Sequence, residues 1–328
     1  MSDERLTTTL LRWFRENGRE LPWRETRDPY AIWLSEIILQ QTRTEQGRPY
    51  WERFLRRWPT VEQLAAASED EVLREWQGLG YYSRARNLLA AARQIAARGS
   101  FPNTMEGLRA LKGVGDYTAA AVGSIAFGLP AAVVDGNVYR VLSRFFAIST
   151  PINTPAGKRE FTELAQRLLP PSHASDFNQA MMDFGATQCV PVSPRCELCP
   201  LQDGCLALHE NRVMQLPVKE RRLQVKERRL CYVYVRCQGH TAIHRRGAGD
   251  IWEGLYEPWL TEQVPPAAML LCKDVKHVLT HRVLYADFYL LVCDERPQLP
   301  NDYFWIREAD LDNYAIPRLI EILLKRIP

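Results

Sequence analysis

The chain has 328 residues, 46% of them hydrophobic and 25% charged. This balance excludes a fibrous repeat or a disordered chain and leaves room for two hydrophobic cores. A formal charge of +3 is compatible with a polyanionic partner without requiring one. No apolar run approaches the roughly 18 residues of a membrane span. The opening MSDERLTTTLLRWF has no basic segment followed by an apolar one, so the expectation is a cytoplasmic protein with no membrane partner.

Residues 1–216 predict a helical domain punctuated by Pro22, Pro29, Pro102 and Pro130. Asp28-Pro29 starts a helix running from Ala31 to Gln40, because Asp caps free N–H groups and Pro fits the first turn. Glu36 shares a face of this helix with Ile32, Trp33 and Leu39. A carboxyl held among apolar groups resists ionisation and keeps its proton near neutral pH; the plain alternative is a helix residue paired with an arginine. At about 104–128, Gly113-Val114-Gly115 separates two helices. Such a turn either only connects helices or presents the N–H groups of the second helix to a phosphate. Asp135 precedes Gly136-Asn137 and an apolar helix face of Val138, Val141, Leu142 and Phe145. There it is a cap favoured as the anion. One protonated and one ionised carboxyl are what cleavage of a glycosidic bond needs, although spacing alone does not bring Glu36 and Asp135 together.

Cys189, Cys196, Cys199 and Cys205 form the sharpest motif. In a reducing compartment a tight cluster means metal before disulfide, and four thiolates suit zinc and a [4Fe–4S] cluster equally. Arg195 lies in the same loop. VKERRL then occurs twice, at 218–223 and 225–230. Residues 217–229 are read as an exposed basic linker, either simply solvated or also touching phosphates. From 230 to 328 the period shifts: CYVYVRC, TAIHR and RVLYADFYLLVC predict strands and 316–326 a last helix, giving a second, α+β domain.

Taken in order, Leu21-Pro22-Trp23-Arg24, the run from Trp33 to Thr42, the run from Gly78 to Asn87, the Gly-Val-Gly turn, Val134 to Val138 and the four-cysteine loop resemble the MutY-type adenine glycosylases. These belong to the helix-hairpin-helix base-excision superfamily. The resemblance implies a [4Fe–4S] cluster rather than zinc. It implies double-stranded DNA with adenine opposite 8-oxoguanine, and opposite guanine, as the partner of a monomeric bacterial-type enzyme at the nucleoid. Glu36 is then the acid that protonates adenine, and Asp135 the carboxylate that stabilises or traps the sugar cation. Tyr117 and Asn137 support them, while Gln41 and Tyr82 enter the base stack near the lesion.

The segment from Gly249 to Pro258 resembles part of a Nudix-like lesion-reading domain, and Leu279-Thr280-His281 its short recognition motif, in which many relatives read Phe-Ser-His. Thr280 and His281 are the implied lesion contacts. Arg307-Glu308-Ala309-Asp310 is too sparse in carboxylates for the Mg²⁺ site of a Nudix hydrolase. The rival reading is an endonuclease III-type enzyme that cuts the strand after removing oxidised pyrimidines. Those enzymes place an amine nucleophile where this chain has Tyr117, and a phenol forms no Schiff base. Lys112 leaves room for weak lyase activity at most. A non-catalytic DNA-binding protein is a third reading, opposed by the intact Glu36 and Asp135.

Overall fold

The computed structural model describes residues 2–220 and 226–328. It contains thirteen α-helices among the described residues: α1 (Ser2–Asn17), α2 (Pro29–Leu39), α3 (Thr44–Arg57), α4 (Val61–Ala66), α5 (Glu69–Trp76), α6 (Ser83–Arg98), α7 (Met105–Arg109), α8 (Asp116–Phe127), α9 (Gly136–Phe145), α10 (Pro155–Leu168), α11 (Ala174–Thr187), α12 (Leu206–His209) and α13 (Arg318–Leu324). Six strands follow α12: β1 (Lys226–Cys237), β2 (His240–Arg245), β3 (Tyr256–Leu260), β4 (Met269–Val278), β5 (Arg282–Cys293) and β6 (Tyr303–Arg307). No described helix is long and apolar enough to cross a membrane.

The chain divides into two compact units that are not consecutive in sequence. One comprises Met1–Arg43, Thr60–Glu62 and Ala91–Arg221, the other Thr44–Pro59, Gln63–Ala90 and Arg222–Pro328. The helical stretch that the sequence keeps together as 1–216 is therefore shared between them. Lys226, Glu227, Arg228 and Arg229, expected in the linker, are instead the first residues of β1, paired in parallel with Arg282 to Tyr285. Of the remaining linker residues, Val218 O accepts from Ile152 N at 3.0 Å and Glu220 N donates to Asn153 Oδ1 at 2.9 Å, while Arg221 to Val225 lie outside the described residues.

In the first unit, the local signals act as expected. Asp28 accepts hydrogen bonds from Tyr30 N and Ala31 N at 3.1 and 3.3 Å, and Pro29 opens α2. α2 packs on α8, whose Ala119, Ala120, Ala121 and Gly123 are all buried. A second cluster gathers Leu6 and Leu10 of α1, Val141 and Leu142 of α9, and Phe177 and Phe184 of α11. Asp183 of α11 is fully buried and takes Arg19 Nη2 at 2.6 Å and Arg24 Nη2 at 2.7 Å. These two guanidiniums tie the loop after α1 to α11.

The second unit holds a mixed sheet in the order β4-β5-β1-β3-β2-β6. Only β1 and β5 run parallel; the other pairs are antiparallel. β1 is central and covered on both faces. Tyr232 and Tyr234 pack with Phe288 and with Leu319, Ile320 and Leu323 of α13. Val233 and Val235 pack on the other side with Leu291 and Trp259.

Cutting the Asp183 pairs tests the first core. Asp183→Asn leaves two partly buried guanidiniums without a counter-charge and is expected to lower unfolding stability by about 3–5 kcal/mol in denaturant titration. The same change at Asp203, whose pair with Arg5 is exposed on both sides, is expected to alter nothing measurable.

Candidate active site and iron–sulfur loop

Glu36 sits in the middle of α2 with 8% of its surface exposed, on a helix buried from Tyr30 to Ile38. Burial pushes its carboxyl up to about 7; the Tyr117 phenol and Arg24 oppose the rise, and the charge of Asp135 adds to it. Tyr117 opens α8, interacts with the Glu36 carboxyl and has its hydroxyl 3.7 Å from the Met182 sulfur. Asp135 caps α9, accepting from Asn137 N at 2.9 Å, Val138 N at 2.8 Å and Asn137 Nδ2 at 2.7 Å. Three segments remote in sequence, α2, the start of α8 and the start of α9, thus bring Glu36, Tyr117, Asp135 and Asn137 into one electrostatically coupled site.

One expectation needs correcting. Asp135 is not simply held as the anion by its cap, because burial raises its pKa as well, against the three N–H donors and Arg140. The contrast between the carboxyls is one of donors. Asp135 has three hydrogen bonds that favour its charged form, whereas Glu36 has a single phenol. The coupled pair therefore binds its first proton preferentially at Glu36.

Behind Asp135, α9 carries two buried arginines that sequence reading missed. Arg140 donates to Asn137 Oδ1 at 2.8 Å, to Gly185 O at 2.5 Å and to Cys189 O at 2.7 Å. Arg144 donates to Val190 O at 2.8 Å and Pro191 O at 3.0 Å, and lies 3.4 Å from Cys189 Sγ. Their positions, one and two turns along the helix from Asn137, were the available signal. Gly185 allows this approach: a Cβ there would stand 2.5 Å from Asn137 Cβ.

Cys189, Cys196, Cys199 and Cys205 line one small cavity together with Arg144 and Arg195 and no carboxylate. Four soft sulfur donors with cationic neighbours fit an anionic thiolate–iron cluster. Burial raises the thiols of Cys196, Cys199 and Cys205, so binding of a cationic centre must displace their protons. Among the described residues no three His, Cys, Asp or Glu close on a single-ion site.

The connection between α7 and α8 separates the two glycines of the hairpin. Gly113 has φ +75°, the left-handed region. Gly115 has φ −91°, which any residue adopts, and a Cβ there meets nothing within 4 Å. Gln41, just beyond α2, is exposed with φ +57°.

The remaining candidates lie in the second unit. Tyr82 is 7% exposed, and its hydroxyl accepts from Gly78 N at 3.4 Å. It is a core residue, and entry into a base stack would require its extraction. The exposed aromatic of that turn is its neighbour Tyr81, at 47% exposure and φ +47°, whose hydroxyl lies 2.5 Å from Thr280 Oγ1. Alternating burial was the overlooked signal: of two adjacent tyrosines at a helix start, one faces inward. Thr280 and His281 are exposed on the β4–β5 hairpin. They line a cavity of about 670 Å³ that also includes Tyr81, Trp252 and His277.

Residues 34–171 match the HhH-GPD superfamily base excision DNA repair protein, 189–205 the iron-sulfur binding domain of endonuclease III, and 231–326 the NUDIX domain. The cysteine loop is accordingly the site of a [4Fe–4S] cluster. A solved thermostable thymine-DNA glycosylase covers 64% of this chain and 97% of its own at 32% identity and a TM-score of 0.60. An endonuclease III–DNA complex, at 23% identity and a TM-score of 0.55, shares the fold. The adenine DNA glycosylase of Rattus norvegicus is 42% identical over 68% of this chain but only 46% of its own length. The human one is 44% identical over 61% of this chain and 38% of its own. The chain thus spans less than half the length of these mammalian relatives. That of Buchnera aphidicola subsp. Baizongia pistaciae is 31% identical over 84% of this chain and 83% of its own. A helical base-excision domain, an iron–sulfur loop and a Nudix-like domain in this order, together with that relative matched over more than four-fifths of both chains, place the chain in the adenine DNA glycosylase family.

Proposed function

We propose that this chain is a monofunctional adenine DNA glycosylase that removes adenine mispaired with 8-oxoguanine, and with guanine, from duplex DNA. The observation that carries the reading is the coupled pair of carboxyls, with Glu36 pushed up to about 7 beside an Asp135 held by three N–H donors. Glu36 gives its proton to a ring nitrogen of the extruded adenine. The glycosidic bond breaks with its electron pair leaving on the base. Asp135 faces the oxocarbenium-like sugar and stabilises or captures it until water completes an abasic site. Asn137 fixes Asp135, and Tyr117 orients Glu36.

The four cysteines would hold the cluster, whose bonds cross-link the loop that Arg140 and Arg144 tie to α9. The hairpin at Gly113-Val114-Gly115 presents backbone N–H groups to phosphates, which position the duplex without reading sequence. Thr280 and His281 are the candidates for contact with the oxidised guanine, and Tyr81 rather than Tyr82 is the aromatic available to fill a vacated stack.

Endonuclease III-type strand cleavage is disfavoured because Tyr117 offers a phenol where a Schiff base needs an amine. The deciding assay is adenine release from an 8-oxoguanine:adenine duplex with and without alkali. Breaks are expected only after alkali, and Glu36→Gln is expected to bind the duplex yet release no adenine. Efficient borohydride trapping of an enzyme–DNA adduct would overturn the monofunctional reading.

The pH dependence has a definite sign. An acid must be protonated to act, so single-turnover release is expected to fall as pH rises through about 7. A rate still rising at pH 8 would remove Glu36 from the acid role. DNA affinity is expected to fall with salt at a log–log slope of about −0.9 for each phosphate neutralised. Gly115→Ala places a methyl group where a phosphate would sit and is expected to weaken binding while leaving thermal unfolding unchanged. Undiminished binding by this variant would argue against the phosphate contact.

A further inference from the structure

The second unit contains a charge arrangement that the excision chemistry leaves unused. The Asp250 carboxylate accepts from Arg228 Nη1 at 2.8 and 2.6 Å, from Arg246 Nη2 at 2.6 Å, from Arg282 Nη1 at 3.1 Å and from Ile251 N at 2.7 Å. Three guanidiniums therefore meet on one carboxylate and saturate its acceptor sites. They come from β1, from the residue just after β2, and from the first residue of β5, directly after His281.

These bonds join two walls of the 670 Å³ cavity. One wall is the turn from Asp250 to Glu253, which carries Trp252 at φ +61°. The other is the β4–β5 hairpin with Thr280 and His281, closed by Leu279 N donating to Arg282 O at 2.8 Å. The hairpin tip is held by Lys226 N to His281 O at 3.1 Å, by the Tyr81 hydroxyl at Thr280 Oγ1, and by the Arg282–Asp250 bond, which alone of the three joins it to the Trp252 turn. Trp252 lies 6.1 Å from His277 between ring centroids, across the same cavity.

We propose that Asp250 is a positioning residue that sets the hairpin bearing Thr280 and His281 against the Trp252 turn, and thereby determines how strongly the protein prefers 8-oxoguanine over guanine opposite adenine. This inference rests on the reading of Thr280 and His281 as lesion contacts. The two bases differ in one oxygen and one ring hydrogen, so discrimination demands that a polar contact be held within fractions of an ångström of its place. A carboxylate shared by both walls supplies that rigidity. Removing its charge leaves three guanidiniums in mutual repulsion. Arg246 keeps its bonds of 2.6 and 2.5 Å to the buried Glu257. Arg228 and Arg282 are 35% and 39% exposed and can turn to water. The domain should therefore fold while the hairpin loosens.

The test uses the full-length, cluster-loaded protein and single-turnover adenine release from 8-oxoguanine:adenine and guanine:adenine duplexes. Wild type, Asp250→Asn, Asp250→Glu and Thr280→Ala are compared, with thermal unfolding as the check on folding. Asp250→Asn is expected to lower the ratio of the two rates by about tenfold, equivalent to about 1.4 kcal/mol, with the guanine:adenine rate unchanged. Asp250→Glu, which keeps the charge, is expected to restore part of the ratio. A wild-type preference retained in Asp250→Asn overturns the proposal alone, as does an equal fall in both rates or a general gain in DNA affinity from the freed arginines. A wild-type ratio near one, or one untouched by Thr280→Ala, overturns the lesion-reading role itself and the proposal with it.

Discussion

The site depends on a carboxyl placed where water cannot stabilise its charge. Glu36 occupies the centre of a helix whose sequence, PYAIWLSEIIL, is apolar on nearly every side. A helix with one buried face would have left a glutamate some route to solvent. This one is enclosed by α8 and its neighbours, so desolvation dominates and the proton stays near neutral pH. Asp135 completes the arrangement. It is nearly as desolvated, yet the N-terminus of α9 and Asn137 supply the donors that an anion requires. The division of labour between two chemically similar groups thus comes from their hydrogen-bond donors as much as from burial.

The helix that stabilises Asp135 is also the helix that holds the cysteine loop. Arg140 touches Asn137 at one end and the Cys189 carbonyl at the other, and Arg144 fastens the next residues of the loop. Loss of the loop would strip partners from two buried guanidiniums and release the end of α9 that positions Asp135. A cluster bound in the loop would thus bear on Asp135 through packing and hydrogen bonds along α9.

Much of this was legible in the sequence where the signal is local. The Asp28-Pro29 helix start, the two helices flanking Gly113 and Gly115, the Asp135 cap, the cysteine spacing, and strands β1, β2 and β5 follow from capping, turn chemistry and period. What escaped depends on tertiary neighbours. β4, MLLCKDVKHV, is an edge strand largely open to solvent and lacks a clean alternation. β3 and β6 are five residues each, too short for a period to stand out. The basic residues Lys226 to Arg229 read as a solvated linker because their partners, Asp250 and Asp274, arrive from other parts of the sheet. Nor does the sequence distinguish Tyr81 from Tyr82: adjacent tyrosines are chemically alike, and only the fold decides which one is buried. The meeting of Glu36 with Asp135 was likewise invisible to spacing.

The most direct measurement is a pH titration of the Glu36 side-chain carboxyl by carbon-13 NMR in protein labelled at glutamate, with Glu36→Gln used to assign the resonance. A midpoint near 7, well above those of the exposed glutamates, is the expected result. A midpoint in the ordinary range of about 4 to 5 would mean that the group is ionised when it is supposed to carry a proton, and would contradict the account at its foundation.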